Sequence, residues 1–382
     1  MKINIVVIIL ISTFFIPLNG KIVVLGNNSP EEQLVYPGKI VEGPDKNIYI
    51  YDRLDAFIKV FSPQGKMIRK IGGKGEGPGQ VKRADGLDFG FTPDGDKLYF
   101  TEYFTGHKWI TFTNLQGILK GTLKYKIKGF FGVTEARIQD SDTIYMQVER
   151  LGKTERIKDV YYSYYLSEIV VIDKSGNQTS SVLKKEHPER ISFIKRGGDK
   201  AIPFTPGFMW AVTKNGNVIF TNGTGNELEV YNRAGKLKKR IIVPVPEPEK
   251  VTKEDIIQWR DSIKEIYKNK NKSWYKRFGS VIEKYTRSIF KFKPVILGMS
   301  LTPAGNILLT CRAKEKDKFK YVLTKINGKL ITESVSKFHR IQISENYIFF
   351  VRISEDEESE ISFIIRSGGE KGDLLKIFSV SH

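Results

Sequence analysis

The chain runs to 382 residues, with a single cysteine and a formal charge of +19. That length exceeds the usual single domain, although β architectures built from repeats reach it as one unit. The lone Cys311 excludes an internal disulfide and a lipoprotein anchor near the N-terminus, so the fold must rest on its core.

Residues 1–20, MKINIVVIILISTFFIPLNG, carry one Lys, a mainly apolar run over 5–18 and a small residue at Gly20. This is the outline of a secretory signal, and the run is short for a transmembrane helix. Leu18 stands where a cleavage site wants a small residue, so an uncleaved N-terminal anchor is the alternative. A periplasmic or secreted location is expected. The positive charge would suit nucleic acid, lipid headgroups or an acidic glycan, but an exported chain is not expected to meet nucleic acid. Lys and Arg are also spread throughout the chain, as on a solvated surface, so charge alone names no partner.

From residue 44 onward a pattern repeats. PDKNIYIYD (44–52) is echoed by DGDKLYFTE (94–102), DSDTIYMQV (140–148), KNGNVIFTN (214–222), PAGNILLTC (303–311) and SENYIFFVR (344–352). Partner turns recur as FSPQGK, FTNLQGI, IDKSGN, YNRAGK and KINGK, with a looser SGGEKGD at the end. Asp/Asn/Gly pairs between alternating runs are hairpin signals, so each unit reads as four strands joined by two tight turns and a middle loop. The turn glycines Gly65, Gly117, Gly176 and Gly235 are spaced by 52, 59 and 59 residues, near the period of a propeller blade. The jump of 93 to Gly328 leaves room for an insertion. Six such units predict an all-β, six-bladed β-propeller over residues 21–382, with a helical insertion at about 247–293 between blades 4 and 5. Either the N-terminal KIVVLG or the C-terminal LLKIFSVS could supply the strand that closes the ring.

Between the first and second units lies IGGKGEGPGQ (71–80). As a phosphate cradle it fails, because G-x-G-x-x-G counted from Gly73 ends on Pro78, counted from Gly75 ends on Gln80, and Lys74 is followed by Gly75 rather than Ser or Thr. Its glycines instead let the chain cross between blades. The run VFSPQGKMIRKIGGKGEGPGQVKRADGLDF closely resembles the NHL-type six-bladed propellers, in which a strand, a Gly turn and I-G-x-x-G-x-G-P-G precede the next blade. That resemblance implies the fold. Function stays open, because such propellers include enzymes, protein-binding modules and exported bacterial proteins.

Alternating strand direction places every tight turn on one rim and the middle loops and interblade links on the other. The loop-rich rim is expected to gather the Gly-rich link, YFTGHKW, a long aromatic loop ERLGKTERIKDVYYSYYLSE, the acidic SEDEESE and the insertion. In the insertion, Thr252 with Asp255 predicts a helix cap, and Ile256, Trp259, Ile263 and Ile266 follow at helical spacing. A second stripe, Trp274, Phe278, Val281, Ile282, Tyr285 and Ile289, predicts another helix. Between residues 250 and 293 there are 13 Lys or Arg against 5 Asp or Glu. The pair is expected to cover the rim as a lid; peripheral membrane contact through the basic faces is the alternative.

His107, His187 and His339 are expected on the loop-rich rim, yet none sits in an H-x-H or H-E-x-x-H spacing, and His382 is terminal. The resemblance also implies two enzymatic precedents: amidating lyases with histidine-held metal, and gluconolactonase-like propellers with a carboxylate and amide cage. Glu42, Asp85, Asp88 and Glu135 lie on predicted inner strands, where Arg83, Arg137 and Arg340 could neutralise them. No Ser/His/Asp arrangement and no C-x-x-C appears, and no cofactor or metal is expected. The expectation is an exported, non-catalytic binding protein for a protein, peptide or glycan, with Arg83, Asp85, His107, Arg137, Trp210, His339 and Arg340 as ligand-binding candidates. A divalent-metal-dependent lyase or lactonase at the channel mouth is the alternative.

Overall fold

The computed structural model describes residues 22–26, 29–75, 77, 79–82, 86–103, 108–157, 160–193, 200–201, 203–268, 290–315, 318–353 and 359–366. The expected leader, the second helical stripe and LLKIFSVS lie outside them.

Runs of alternating Ile, Val, Tyr and Phe, cut by Asp/Asn/Gly turns, form the strands. β1 (Val23–Leu25) is the first described strand. Then come three meanders. They are β2 (Pro37–Glu42), β3 (Ile48–Asp52), β4 (Phe57–Phe61) and β5 (Met67–Gly72); β6 (Leu87–Phe91), β7 (Leu98–Glu102), β8 (Trp109–Thr113) and β9 (Leu119–Lys124); and β10 (Gly132–Asp140), β11 (Thr143–Ile157), β12 (Val160–Ile172), β13 (Gln178–Phe193) and β14 (Lys200–Ala201). A fourth is β15 (Met209–Val212), β16 (Val218–Thr221), β17 (Glu227–Tyr231) and β18 (Leu237–Ile242). The helix α1 (Lys253–Lys268) follows it. The remaining sheets are β19 (Ile296–Leu301), β20 (Ile307–Arg312), β21 (Phe319–Thr324) and β22 (Leu330–Ser336), then β23 (Arg340–Ile343), β24 (Tyr347–Ile353) and β25 (Ser359–Ile365).

β1 settles which terminus closes the ring. It pairs antiparallel with β25, Val23 opposite Phe363 and Leu25 opposite Ile361, so the chain's first strand completes its last sheet. Each pair of neighbouring sheets shares an apolar cluster, as the ring requires. Tyr49, Tyr51 and Ile58 meet Phe89 and Phe100 at one interface, and Ile40, Ile48 and Phe61 meet Tyr347, Phe349 and Phe363 at the interface that joins first meander to last. The expected six-bladed propeller is therefore the fold. Turn glycines Gly65, Gly117, Gly176, Gly235 and Gly328 all take positive φ, between +77° and +87°, which explains why glycine recurs there.

Three expectations need correcting. Because β1 lies in the closing sheet, that sheet is the first one the chain enters, and α1 follows the fifth sheet entered rather than sitting between blades 4 and 5. The long aromatic loop is strand: β11, β12 and β13 run on past their neighbours, with Leu151 opposite Tyr165 and Tyr165 opposite His187. A Tyr-rich run has high β propensity, and three strands extended together satisfy one another's backbone, so this sheet projects as an arm beyond the loop-rich rim. His187 is accordingly a strand residue and not a loop residue. Lastly, among the described residues there is one helix. Its cap is as expected, since the Asp255 N–H donates to Thr252 Oγ1 at 3.1 Å and the Thr252 N–H donates to Asp255 Oδ2 at 2.8 Å. The base of the insertion is clasped by an antiparallel bridge between Lys250 and Phe292 and by Lys293 Nζ at 2.7 Å from Asp255 Oδ1. No described helix is long and apolar enough to cross a membrane.

The glycine-rich link is scaffold. The Gly73 N–H donates to Ala56 O at 3.1 Å, the Val81 N–H to Gly73 O at 2.9 Å and the Gly75 N–H to Val81 O at 3.0 Å, folding the link back onto the first sheet. Gly73 takes φ +103°, where a Cβ would stand 2.7 Å from the Phe57 ring.

Candidate functional site

The innermost strands β2, β6, β10, β15, β19 and β23 line a central channel of about 670 Å³. Their register sets which side chains share a level. After each first turn the opening aliphatic residue of the second strand pairs back to the inner strand: Ile48 to Glu42, Leu98 to Phe91, Ile144 to Ile138, Val218 to Val212, Ile307 to Leu301 and Ile348 to Ile343. Three residues before these inner partners stand Lys39, Asp88, Glu135, Met209, Gly298 and Arg340. One level of the ring thus carries four charged groups side by side, Arg340, Lys39, Asp88 and Glu135, and the other side of it is Met209 and Gly298.

The charges differ in how far they are satisfied. Lys39 Nζ lies 2.6 Å from Asp88 Oδ1 and 5.7 Å from the centre of the Phe89 ring. Burial in the channel wall, the Arg137 guanidinium and, more weakly, Arg340 push the Lys39 amine down to about 8 against the pull of Asp88. The second Asp88 oxygen accepts the Ala136 N–H at 2.7 Å and lies 3.7 Å from Arg137 Nη1. Arg137 also pairs with Glu135 and donates to Ala136 O. Tyr99 donates to that carbonyl at 3.0 Å, and burial pushes its hydroxyl up to about 12.

Arg340 is different. It is open to the channel, and its polar contact is Nη2 donating to Gly38 O at 3.0 Å; no described carboxylate pairs with it. Its pKa is lowered first by the protein around it and then by Arg53. Arg53 follows β3, and its Nε lies 3.1 Å from where a Cβ on Gly38 would stand, with the guanidinium 5.8 Å from the centre of the Tyr36 ring. It too pairs with no described carboxylate. Both guanidinium groups therefore lie beside Gly38.

Of the candidates expected from sequence, Arg137 and Arg340 meet in this channel. Trp210 forms part of the wall but is 5% exposed, and its indole N–H donates to Gln147 Oε1 at 2.8 Å. His339 immediately precedes Arg340, its backbone N–H donates to Val351 O, and its ring packs tilted against Phe319 with centres 5.0 Å apart. Arg83, Asp85 and His107 lie outside the described residues. Glu42 accepts from the backbone and side chain of Asn346 near the tight-turn rim, away from Asp88 and Glu135. Among the described residues, no group of three or more His, Cys, Asp or Glu could hold a metal ion. Sequence reasoning missed Lys39 and Arg53. The available signal was their place, two residues into an inner strand and just after a second strand, where the repeats face the loop-rich rim. A separate cavity of about 520 Å³ beside the insertion is lined by Pro244, Pro246, Lys293 and Arg312, with Lys293 already paired to Asp255 and Glu249.

A family model described as a six-bladed beta-propeller, DUF5128, matches residues 29–88. No curated protein matches the chain. Among solved structures, a member of the DUF4221 family from Bacteroides vulgatus shares 10% identity, covers 91% of this chain and 96% of its own, and superposes with a TM-score of 0.50. A candidate exported protein from Bacteroides fragilis shares 11% identity over 92% of this chain and 96% of its own, at a TM-score of 0.47. Virginiamycin B lyase from Staphylococcus aureus shares 13% over 91% of this chain and 99% of its own, at 0.41. Such low identities speak only to fold. The chain is a six-bladed β-propeller.

Proposed function

We propose that the chain is an exported, non-catalytic binding protein that holds a small ligand on the loop-rich face of an NHL-like propeller, at the mouth of its channel. One observation carries this reading: a single level of the ring is charged on one side and apolar on the other, inside a channel within the ~300–1,000 Å³ range of ligand sites. The apolar leader supports export.

The test compares the protein recovered from its own compartment with a Gly298→Trp variant. Gly298 lines the channel, and a Cβ there meets only the Thr310 side chain at 3.5 Å, so a large side chain narrows the channel at the charged level. A small molecule released on denaturing the wild type and missing from the variant is expected. Release of the same molecule from both, or of none, overturns the reading, and a stoichiometric divalent ion in the wild type turns it toward a metal-dependent lyase or lactonase. Fusing residues 1–21 to an export reporter checks the location, and a reporter retained in the cytoplasm contradicts it.

A further inference from the structure

Resting on that reading, the geometry points to the ligand's class: a small organic anion whose carboxylate, sulfate or phosphate head is held by Arg53 and Arg340 while its apolar body lies toward Met209 and Gly298. The carboxylates of the channel are already engaged, Asp88 by Lys39 and the Ala136 N–H, Glu135 by Arg137. Among the described residues, Arg53 and Arg340 are left with a ring face and a backbone carbonyl. Two like charges held close repel unless an anion sits between them, and a pair of planar forks suits the paired oxygens of a carboxylate or phosphate. Lys39, one residue from Gly38, adds a third cation to the same spot. Beyond the head group the lining turns apolar, with Phe208, Met209 and Met299 on the side of the ring away from the charges. An inorganic ion alone would leave that half wet, so the organic body belongs to the site.

Calorimetric titration at constant ionic strength and neutral pH tests this with four probes: benzoate, phenyl phosphate, inorganic phosphate and the neutral benzamide. Benzoate and phenyl phosphate are expected to bind, inorganic phosphate more weakly, and benzamide not measurably. Arg53→Gln or Arg340→Gln should each weaken the organic anions by about tenfold or more, the share of a charge-assisted pair. Arg340→Lys, which keeps charge and fold but loses the fork, should fall between. Lys236→Gln, an exposed lysine on the tight-turn rim, should change nothing. Equal binding of benzamide and benzoate, anion binding untouched by both arginine substitutions, or no binding of either organic anion at millimolar concentration overturns the inference. If the wild type still releases a molecule that Gly298→Trp lacks, the channel remains a binding site and only the anionic assignment fails.

Discussion

Asp52 and Arg53 are adjacent in sequence and belong to two charge clusters with opposite characters. Asp52 is fully buried; it receives N–H groups from Val35, Tyr36 and Leu54 and lies 2.9 Å from Lys59 Nζ. Lys59 is 3% exposed and is completed by Asp55 at 3.0 Å and by Gln33 O at 2.6 Å. Burial raises the Asp52 pKa, yet the Lys59 ammonium and three backbone donors outweigh it and hold the carboxyl below its ordinary value. Asp52 and Lys59 use all their hydrogen-bonding capacity internally, and the product is structure, since the pair fastens residues 33–36 to the second strand. One residue on, Arg53 and Arg340 are exposed, share a sign and have no carboxylate partner among the described residues. A charge cluster complete in itself holds the chain; the one left incomplete among the described residues is where the proposed anion would bind.

The largest effect expected from this contrast is on stability. Asp52→Ala halves the charge pairing of the buried Lys59 ammonium and leaves three backbone N–H groups without their acceptor, and should cost about 3–5 kcal/mol in chemical unfolding. Arg340→Gln should change stability by less than about 0.5 kcal/mol, because an exposed charge with no carboxylate partner among the described residues is lost. Similar losses for the two would erase the distinction. Since the folded Asp52 pKa is depressed, its contribution is present above the unfolded pKa and disappears as pH falls through the folded one.

Lys39 gives an opposite sign at the other end of the scale. It faces Asp88 on β6, Arg137 on β10 and Arg340 on β23, and its amine is pushed down to about 8 from 10.5. Between those values the unfolded chain binds more protons, so stability should rise with pH from about 8, by up to about 2–3 kcal/mol. Above about 10 the buried tyrosines Tyr49, Tyr99 and Tyr125, whose raised pKa values keep them protonated in the fold, should reverse the trend. Comparison with Lys39→Met isolates the lysine: the variant's profile should lack the rise between 8 and 10, and parallel profiles would show that the channel charges are no more strained than a surface.

Smaller effects mark the scaffold. Asp255→Ala removes the carboxylate half of the capping box and the Lys293 pair, and should lower the local stability of the insertion base by about 1–2 kcal/mol, seen as faster hydrogen exchange at residues 252–256 with the channel unaffected. Lys46 occupies the φ +61° position that Gly95, Gly216 and Gly305 fill in other blades. Lys46→Gly should therefore stabilise by about 0.5–1 kcal/mol, the left-handed strain less the added backbone entropy. Destabilisation would mean that the backbone freedom glycine adds to the unfolded chain outweighs the strain it relieves.

The repeat was legible because turn chemistry is local: Gly65 through Gly328 and the Thr252–Asp255 cap announce themselves within a few residues. Ring closure was not, since KIVVLG and LLKIFSVS are equally good edge strands and only tertiary pairing of Val23 with Phe363 chooses between them. The arm was misread as a loop because its length exceeds a blade and Gly152 interrupts it, whereas the β propensity of YYSYYL pointed the other way. At the site, Arg137 and Arg340 stood out as charges on inner strands. Arg53 and Lys39 did not, because pairing across sequence separations of about three hundred residues, such as Arg340 to Gly38, is what brings them together.

The most direct test is crystallographic. Crystals soaked in selenate, a tetrahedral dianion with a strong anomalous signal, should show their strongest difference peak between the Arg53 and Arg340 guanidinium groups beside Gly38, and Arg340→Gln crystals should lose that peak alone. Peaks confined to surface lysines, with the channel mouth empty in both, would contradict the account.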